Sequence, residues 1–418
     1  MLTADSPALL PLQLALMVAV TILIGKTMVR FGVPALVGEL FGGIILGPTI
    51  LGAFFPELQG RLFPTTGTAA QAREGIIQFG LVLFLFITGL EVEFDQLARH
   101  KRAVLLTTLL GVLVPFLAGL GSVILLPELW DMTGREEGWT GPIFVGTILS
   151  ISAIPVIARI LMDLSLTGTS FGAIVLAAAT IDDLIGWGLF GFVVSQISGR
   201  GAGEGHGWGV RLGLVAALAV VIFSIGTAGG RRVLKWVTSR LDKTGSYVPL
   251  MLLVMLLAAA AAEWIGAHMI FGAFLVGVAV ARTIEPRRQA YAALRGLTLE
   301  LFVPLYMVSI GLRTNFATNF DVVLVVVVMI VATFGKLAGA SLGAWLGGMK
   351  GRTAVAIGFA LNARGAMAIV LTSVALDYHL ISERVFVALI FMAVATSALA
   401  ASAIPRVLKG AQVTVDAA

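Results

Sequence analysis

Read for hydropathy alone, the chain is a succession of apolar stretches of about 20 residues, the length a helix needs to cross the hydrocarbon core of a bilayer. Short polar loops that carry most of the charges separate them. Thirteen spans are predicted, over roughly residues 8–29, 34–54, 72–93, 102–126, 139–162, 168–197, 209–230, 247–266, 268–283, 293–312, 321–347, 352–376 and 383–405. Spans eight and nine are nearly continuous and form the weakest division. No hydrophilic block is large enough for a soluble regulatory domain. The expectation is therefore a single all-α polytopic membrane domain over residues 1–418.

The pattern also carries a weak internal repeat. LVGELFGGIILG (Leu36–Gly47) in span two is similar to MIFGAFLVGVAVA (Met269–Ala281) in span nine. FLFITGLEVEF (Phe84–Phe94) at the end of span three is similar to PLYMVSIGLRTNF (Pro304–Phe316) at the end of span ten. Repeat one then runs over about 8–197 and repeat two over about 247–405, with a linker helix at about 209–230. Seven spans separate the copies, so they have opposite orientation, the mark of secondary transporters. The register pairs span five with span twelve, and both hold helix-breaking sequence. SISAIPVIARIL (Ser150–Leu161) contains Pro155, which lacks a backbone donor, and GFALNARGAMAIVL (Gly358–Leu371) has Asn362, Arg364 and Gly365 at its centre. Two broken helices crossing at mid-membrane are expected, their freed carbonyls and helix ends forming the binding site.

Composition sharpens this reading. The chain is 58% hydrophobic and 12% charged, with a mean hydropathy of +1.01, which excludes a soluble domain. With no Cys there is no disulfide or thiol metal site, and the four His form no ligand-like pair, so no cofactor is expected. The net charge of +5 is not a nucleic-acid signal, because the basic residues flank the spans. With the N-terminus outside, loops and ends divide them 18 inside against 7 outside, and Lys26, Lys336 and Arg364 within spans complete the 28. That asymmetry follows the positive-inside rule and puts the C-terminus in the cytoplasm. The N-terminus lacks the basic region and cleavage site of a signal peptide, so the first span is read as retained.

The candidate chemistry lies in AIVLAAATIDDLIGWGLFGFVV (Ala173–Val194), where Asp182 and Asp183 are the only charges. Each acid near mid-bilayer costs about 2.5–3.5 kcal/mol on insertion scales, so ion or proton handling is the default reading. Adjacent helical residues point about 100° apart, so one acid can line an ion path while the other meets a base. Lys336, mid-span in IVATFGKLAGASLG (Ile330–Gly343), is the obvious base. Two acids and a lysine can exchange protons for a cation by direct competition, with Thr180, Ser150, Ser152 and free carbonyls as further oxygen ligands. A static salt bridge is the plain alternative for Lys336. Glu39, Glu91 and Glu93 are read as structural charges near span ends, and Arg364 as support for the broken helices, with Glu91 as its candidate acid.

Together these segments resemble the cation:proton antiporter-2 family. VPALVGELFGGIILGPTILG (Val33–Gly52), GLEVEFDQL (Gly89–Leu97), SISAIPVIARIL, AAATIDDLIGW (Ala177–Trp187), FGKLAGA and LNARGAMAIVL carry the resemblance in order across almost the whole chain. It implies two inverted six-span repeats, a homodimer and elevator-like alternating access, serving pH homeostasis from a bacterial inner membrane. It implies Asp183 as the ligand of the transported Na⁺, and an Asp182–Lys336 pair as in the electrogenic sodium/proton branch. Ser152 matches the small hydroxyl of the first broken helix. Members with an Arg in the second broken helix often carry an acid one turn before the key aspartate, where this chain has Ala177 and Ala178.

Other classes fit less well. An intramembrane aspartyl protease needs its two acids on facing helices, and a channel favours rings of acids from several subunits. An enzyme is therefore not expected. An electroneutral K⁺/H⁺ exchanger, or an ion sensor on the same fold, is the alternative to a Na⁺/H⁺ antiporter.

Overall fold

The computed structural model describes residues 5–30, 35–91, 100–132, 138–164, 166, 169–198, 247–265, 268–281 and 288–409. The linker helix expected at about 209–230, and Glu93, lie outside them. In chain order the principal helices are α1 (Leu9–Val20), α2 (Ala35–Leu46), α3 (Thr68–Leu90), α4 (Lys101–Leu125), α5 (Thr140–Ser150), α6 (Ile154–Asp163) and α7 (Ser170–Ser198). After these come α8 (Tyr247–Trp264), α9 (Met269–Ala281), α10 (Arg288–Leu297), α11 (Val303–Arg313), α12 (Val322–Leu346), α13 (Gly351–Leu361), α14 (Ala366–Asp377) and α15 (Glu383–Leu408). A π-helical turn, Thr21–Gly25, follows α1, and another, Thr298–Phe302, joins α10 to α11. The described residues contain no β-strand. Seven helices among them are long and apolar enough to cross a membrane, and six shorter apolar ones accompany them.

Two of the predicted spans are broken. Span five is α5 and α6, interrupted at 151–153, where Ile151 and Ala153 are extended. Pro155 stands in the first turn of α6, where a missing N–H goes unneeded. Span twelve is α13 and α14, interrupted at 362–365. The two breaks meet directly: Ala153 N–H donates to Ala363 O at 3.0 Å. Gly365 is required there, because a β-carbon would come within 2.5 Å of Val156 Cγ2.

The chain forms two compact units, each assembled from both halves of the sequence. Unit 1 comprises Met1–Val92 and Val194–Asn315, and unit 2 comprises Glu93–Val193 and Phe316–Ala418. In unit 1, α2 packs on α11 and α3 on α9. Both contacts are backbone-close and glycine-made: a β-carbon at Gly311 would meet Gly43 C at 2.3 Å, and one at Gly277 would meet Phe86 O at 2.3 Å and Gly89 Cα at 3.0 Å. Small residues at crossings are how helices gain contact in lipid, where apolar burial drives nothing. In unit 2, α4 packs along α12 and against α5, and α13 lies between α12 and α15. Its core gathers Ile157, Leu161, Phe171, Ala178, Ile357 and Ile404. Leu105, Leu109, Leu113 and Leu117 stay exposed at helical spacing along α4, a surface for lipid to solvate.

Candidate functional site

The site is built within unit 2, where the two breaks pass α7 and α12. The α7 N-terminus is capped by Thr169, whose hydroxyl accepts from Gly172 N–H at 3.1 Å. Three turns further along, Asp182 and Asp183 are both 1% exposed. On α12, Lys336 is buried completely. Its Nζ donates to Asp182 Oδ2 at 2.6 Å and to Ser150 O at 2.5 Å. Ser152 Oγ lies 2.7 Å from Asp182 Oδ2 and 2.7 Å from Leu361 O. One hydroxyl hydrogen can serve only one of those acceptors at a time, so Ser152 links the acid of α7 to the C-terminal end of α13 alternately.

Arg364 braces the other side. Its guanidinium donates to Leu149 O, to Asn362 Oδ1 at 2.9 Å and, more distantly, to Ala332 O at 3.4 Å. Arg364 and Lys336 thus both cap the carboxyl end of α5, where the unpaired carbonyls of a half-helix concentrate negative potential. Ser397 Oγ of α15 lies against both Arg364 O and Ala393 O, and its one hydrogen serves either in turn, so it reaches the second break from behind. Glu91, the acid considered for Arg364, is engaged in unit 1, where it accepts from Arg295 Nε at 2.6 Å and Tyr291 OH at 3.2 Å. The arginine's partners are backbone and amide oxygens instead.

Asp183 stands apart. Among the described residues neither of its buried oxygens accepts a hydrogen bond, and nor does Oδ1 of Asp182. The site therefore holds a matched acid–base pair beside a carboxylate with two unclaimed oxygens, chemistry suited to a proton or a small monovalent cation. Thr180 donates to Leu176 O within α7 at 2.9 Å, and Ser150 Oγ donates to Thr147 O, which uses the one hydrogen of each hydroxyl and leaves their oxygen lone pairs as acceptors. Glu39 lies buried in α2, with its Cγ facing Gly25. Ser397 was missed by the sequence reading. Its only signal was a Thr396–Ser397 polar pair within an apolar span.

Two broken helices that meet beside buried acids and a lysine are an arrangement found in ion-coupled membrane transporters. The profile described as "Sodium/hydrogen exchanger, transmembrane" matches residues 16–410, and the chain belongs to that family. It is 28% identical to Cation/H(+) antiporter 20 of Arabidopsis thaliana over 97% of this chain, spanning about half (49%) of that relative's length. It is 24% identical to the Na(+)/H(+) antiporter NhaS4 of a Synechocystis strain, over 90% of this chain and 91% of the relative. Among solved structures, the sodium proton antiporter MjNhaP1 from Methanocaldococcus jannaschii superposes with a TM-score of 0.64. That match has 13% identity and covers 95% of this chain and 96% of that one, a likeness of fold.

Proposed function

We propose that this chain is a secondary antiporter exchanging a monovalent cation, Na⁺, for protons, and that the exchange is electrogenic. The observation that carries the reading is the buried Asp182–Lys336 pair beside Asp183, whose two oxygens are unclaimed. Asp183 alternates between a proton and the cation, with Ser152 and carbonyls of the breaks as neutral oxygens. If Asp183 alone changed charge, one proton would replace one cation and voltage would be irrelevant. Lys336 adds a second proton: it releases its proton as the cation enters and regains it from the other side as the cation leaves. One net charge then crosses per cycle, worth about 2.3 kcal/mol per 100 mV.

Every proposed site residue belongs to unit 2, which supports elevator-like access in which that unit carries the site as a body. The glycine contacts of unit 1 support the inverted repeat: Gly43 meets Gly311 and Gly277 meets Gly89, the same two aligned positions with the copies exchanged. The family resemblance supports a homodimer, and a bacterial inner membrane is the location proposed with it. The distribution of basic residues supports an outside N-terminus and a cytoplasmic C-terminus.

Proteoliposomes test the central claim. An imposed sodium gradient should drive proton flux and develop a valinomycin-sensitive potential, and parallel runs with K⁺ and Li⁺ rank the cations. Lys336→Arg, a base that stays charged throughout, should weaken exchange or make it voltage-independent. Flux without any potential would replace this reading with one-for-one exchange.

A further inference from the structure

Two ion pairs of unit 1 lie outside the site, and their arrangement is reciprocal. Glu91 closes the C-terminal end of α3 and takes Arg295 of α10 at 2.6 Å, with Tyr291 OH on the same oxygen. Arg313 closes the C-terminal end of α11 and takes Glu74, near the start of α3, with one nitrogen 2.6 and 2.5 Å from the two carboxylate oxygens. Each helix end is thus tied to the beginning of the other run, so α3 and the α10–α11 run are antiparallel and pinned at both extremities. Between the pins, Phe302 stacks edge-on to Phe79 at 5.9 Å and fills the space beside Gly80. From Glu74 to Glu91 the helix rises about 25 Å at 1.5 Å per residue, close to the thickness of a hydrocarbon core, so the two pins stand about as far apart as the two faces of that core.

Both pins stand where the chain, running from N to C, leaves unit 1. The first exit follows Val92 and the second follows Asn315. Glu91 and Arg313 also occupy the same position of the two similar stretches, in TGLE and IGLR, with the charge reversed. Pairs this exposed contribute little to stability, so holding the fold together is a poor account of placing one at each exit.

We propose that Glu91–Arg295 and Glu74–Arg313 are positioning clamps that fix the two exits of unit 1, and that turnover depends on both. The inference rests on the alternating-access reading above: a body that carries the ion needs fixed points to move against, and a fraying last turn of α3 or α11 would absorb the stroke. The clamps touch neither the cation nor the protons of the site.

The test is charge exchange across each pair, read as sodium-driven proton flux in proteoliposomes. Glu91→Arg, Arg295→Glu, Glu74→Arg and Arg313→Glu should each lower the maximal rate by about fivefold or more while the half-saturating cation concentration moves less than about twofold. The doubles Glu91→Arg/Arg295→Glu and Glu74→Arg/Arg313→Glu should regain most of the rate. The neutral variants Glu91→Gln and Arg313→Gln, with melting temperatures within about 2 °C of the parent, should show the same rate loss, which separates the effect from misfolding. Single or neutral variants at the parental rate, swapped doubles as slow as the singles, or a cation concentration dependence that moves with the rate would each overturn the clamps while leaving the transport reading intact. A parent protein that exchanges nothing would overturn both.

Discussion

Two ion pairs of unit 1 stand at helix ends, where Glu91–Arg295 has 31% and 47% of its side-chain surfaces exposed and Glu74–Arg313 has 37% and 33%. Unit 2 instead encloses Lys336 and Asp182 with no exposed side-chain surface at all. The two placements obey different physics. A wet pair gains little and costs little, because water screens it and solvates either partner when the other is lost. A dry pair is held against a desolvation cost of several kcal/mol per ion, and losing one partner strands the other. For stability, charge at the ends of unit 1 is therefore tolerant of change, and charge in the middle of unit 2 is not. The same contrast separates the breaks of unit 2, where backbone groups are satisfied by Arg364, Lys336 and Ser152, from the glycine crossings of unit 1, where helices stay whole and touch through backbone.

Removing the carboxylate proposed to carry the ion should break the comparison hardest. Asp183→Asn keeps the shape of the side chain and leaves the Asp182–Lys336 pair standing, so exchange should fall to background while the protein stays folded. Wild-type exchange by this variant in proteoliposomes would remove Asp183 from the proposed role. Next comes the dry pair itself. Lys336→Ala leaves Asp182 buried without its base and should cost about 3–5 kcal/mol, seen as a large fall in melting temperature in detergent. Replacing Asp182 by Asn in the same protein should recover much of that stability without recovering exchange. Equal melting temperatures for Lys336→Ala and the parent would mean that the interior is wetter than the geometry shows.

The glycine contact of unit 1 sets a middle scale. Gly311→Ala places a β-carbon against the Gly43–Ile44 backbone, which cannot yield as a side-chain tip does, and should cost about 1–3 kcal/mol. The same substitution at Gly75, which has open space around it, should be nearly neutral. At the bottom of the scale stands a wet charge in unit 2. Asp321 caps α12 by accepting from Leu324 N–H at 2.9 Å and also meets Arg384 at 2.9 Å. The Leu324 N–H, and then Arg384, hold its carboxyl below the usual aspartate range. A depressed folded value means that the stabilisation is present at neutral pH and disappears as pH falls through and below the ordinary carboxylate range. Asp321→Ala should therefore cost about 1 kcal/mol near pH 7, and the gap in melting temperature should close on acidification. A gap independent of pH would show that the cap works without its charge.

Much of the site was legible because the membrane makes charge conspicuous. Asp182, Asp183, Lys336 and Arg364 are visible as charges inside apolar spans, and Pro155 and the Asn-Ala-Arg-Gly run mark the two interruptions. Carbonyl partners were not legible, because every residue has one. That Leu149, Ser150 and Leu361 are the oxygens claimed by Arg364, Lys336 and Ser152 depends on where α5 and α13 stop relative to their neighbours.

The sequence by itself determined the membrane class, the apolar helices, the two interrupted spans and the identity of the charges buried in them, since each follows from local composition against the cost of leaving a polar group in hydrocarbon. Only the tertiary structure decided which charges meet. Beside the Asp182–Lys336 pair that the family resemblance implied, it left both oxygens of Asp183 unclaimed, turned Arg364 toward carbonyl ends, and tied Glu91 to Arg295 across a gap of 204 residues. Those choices rest on the direction each side chain leaves its helix and on how closely two helices approach, and hydropathy along a chain carries neither.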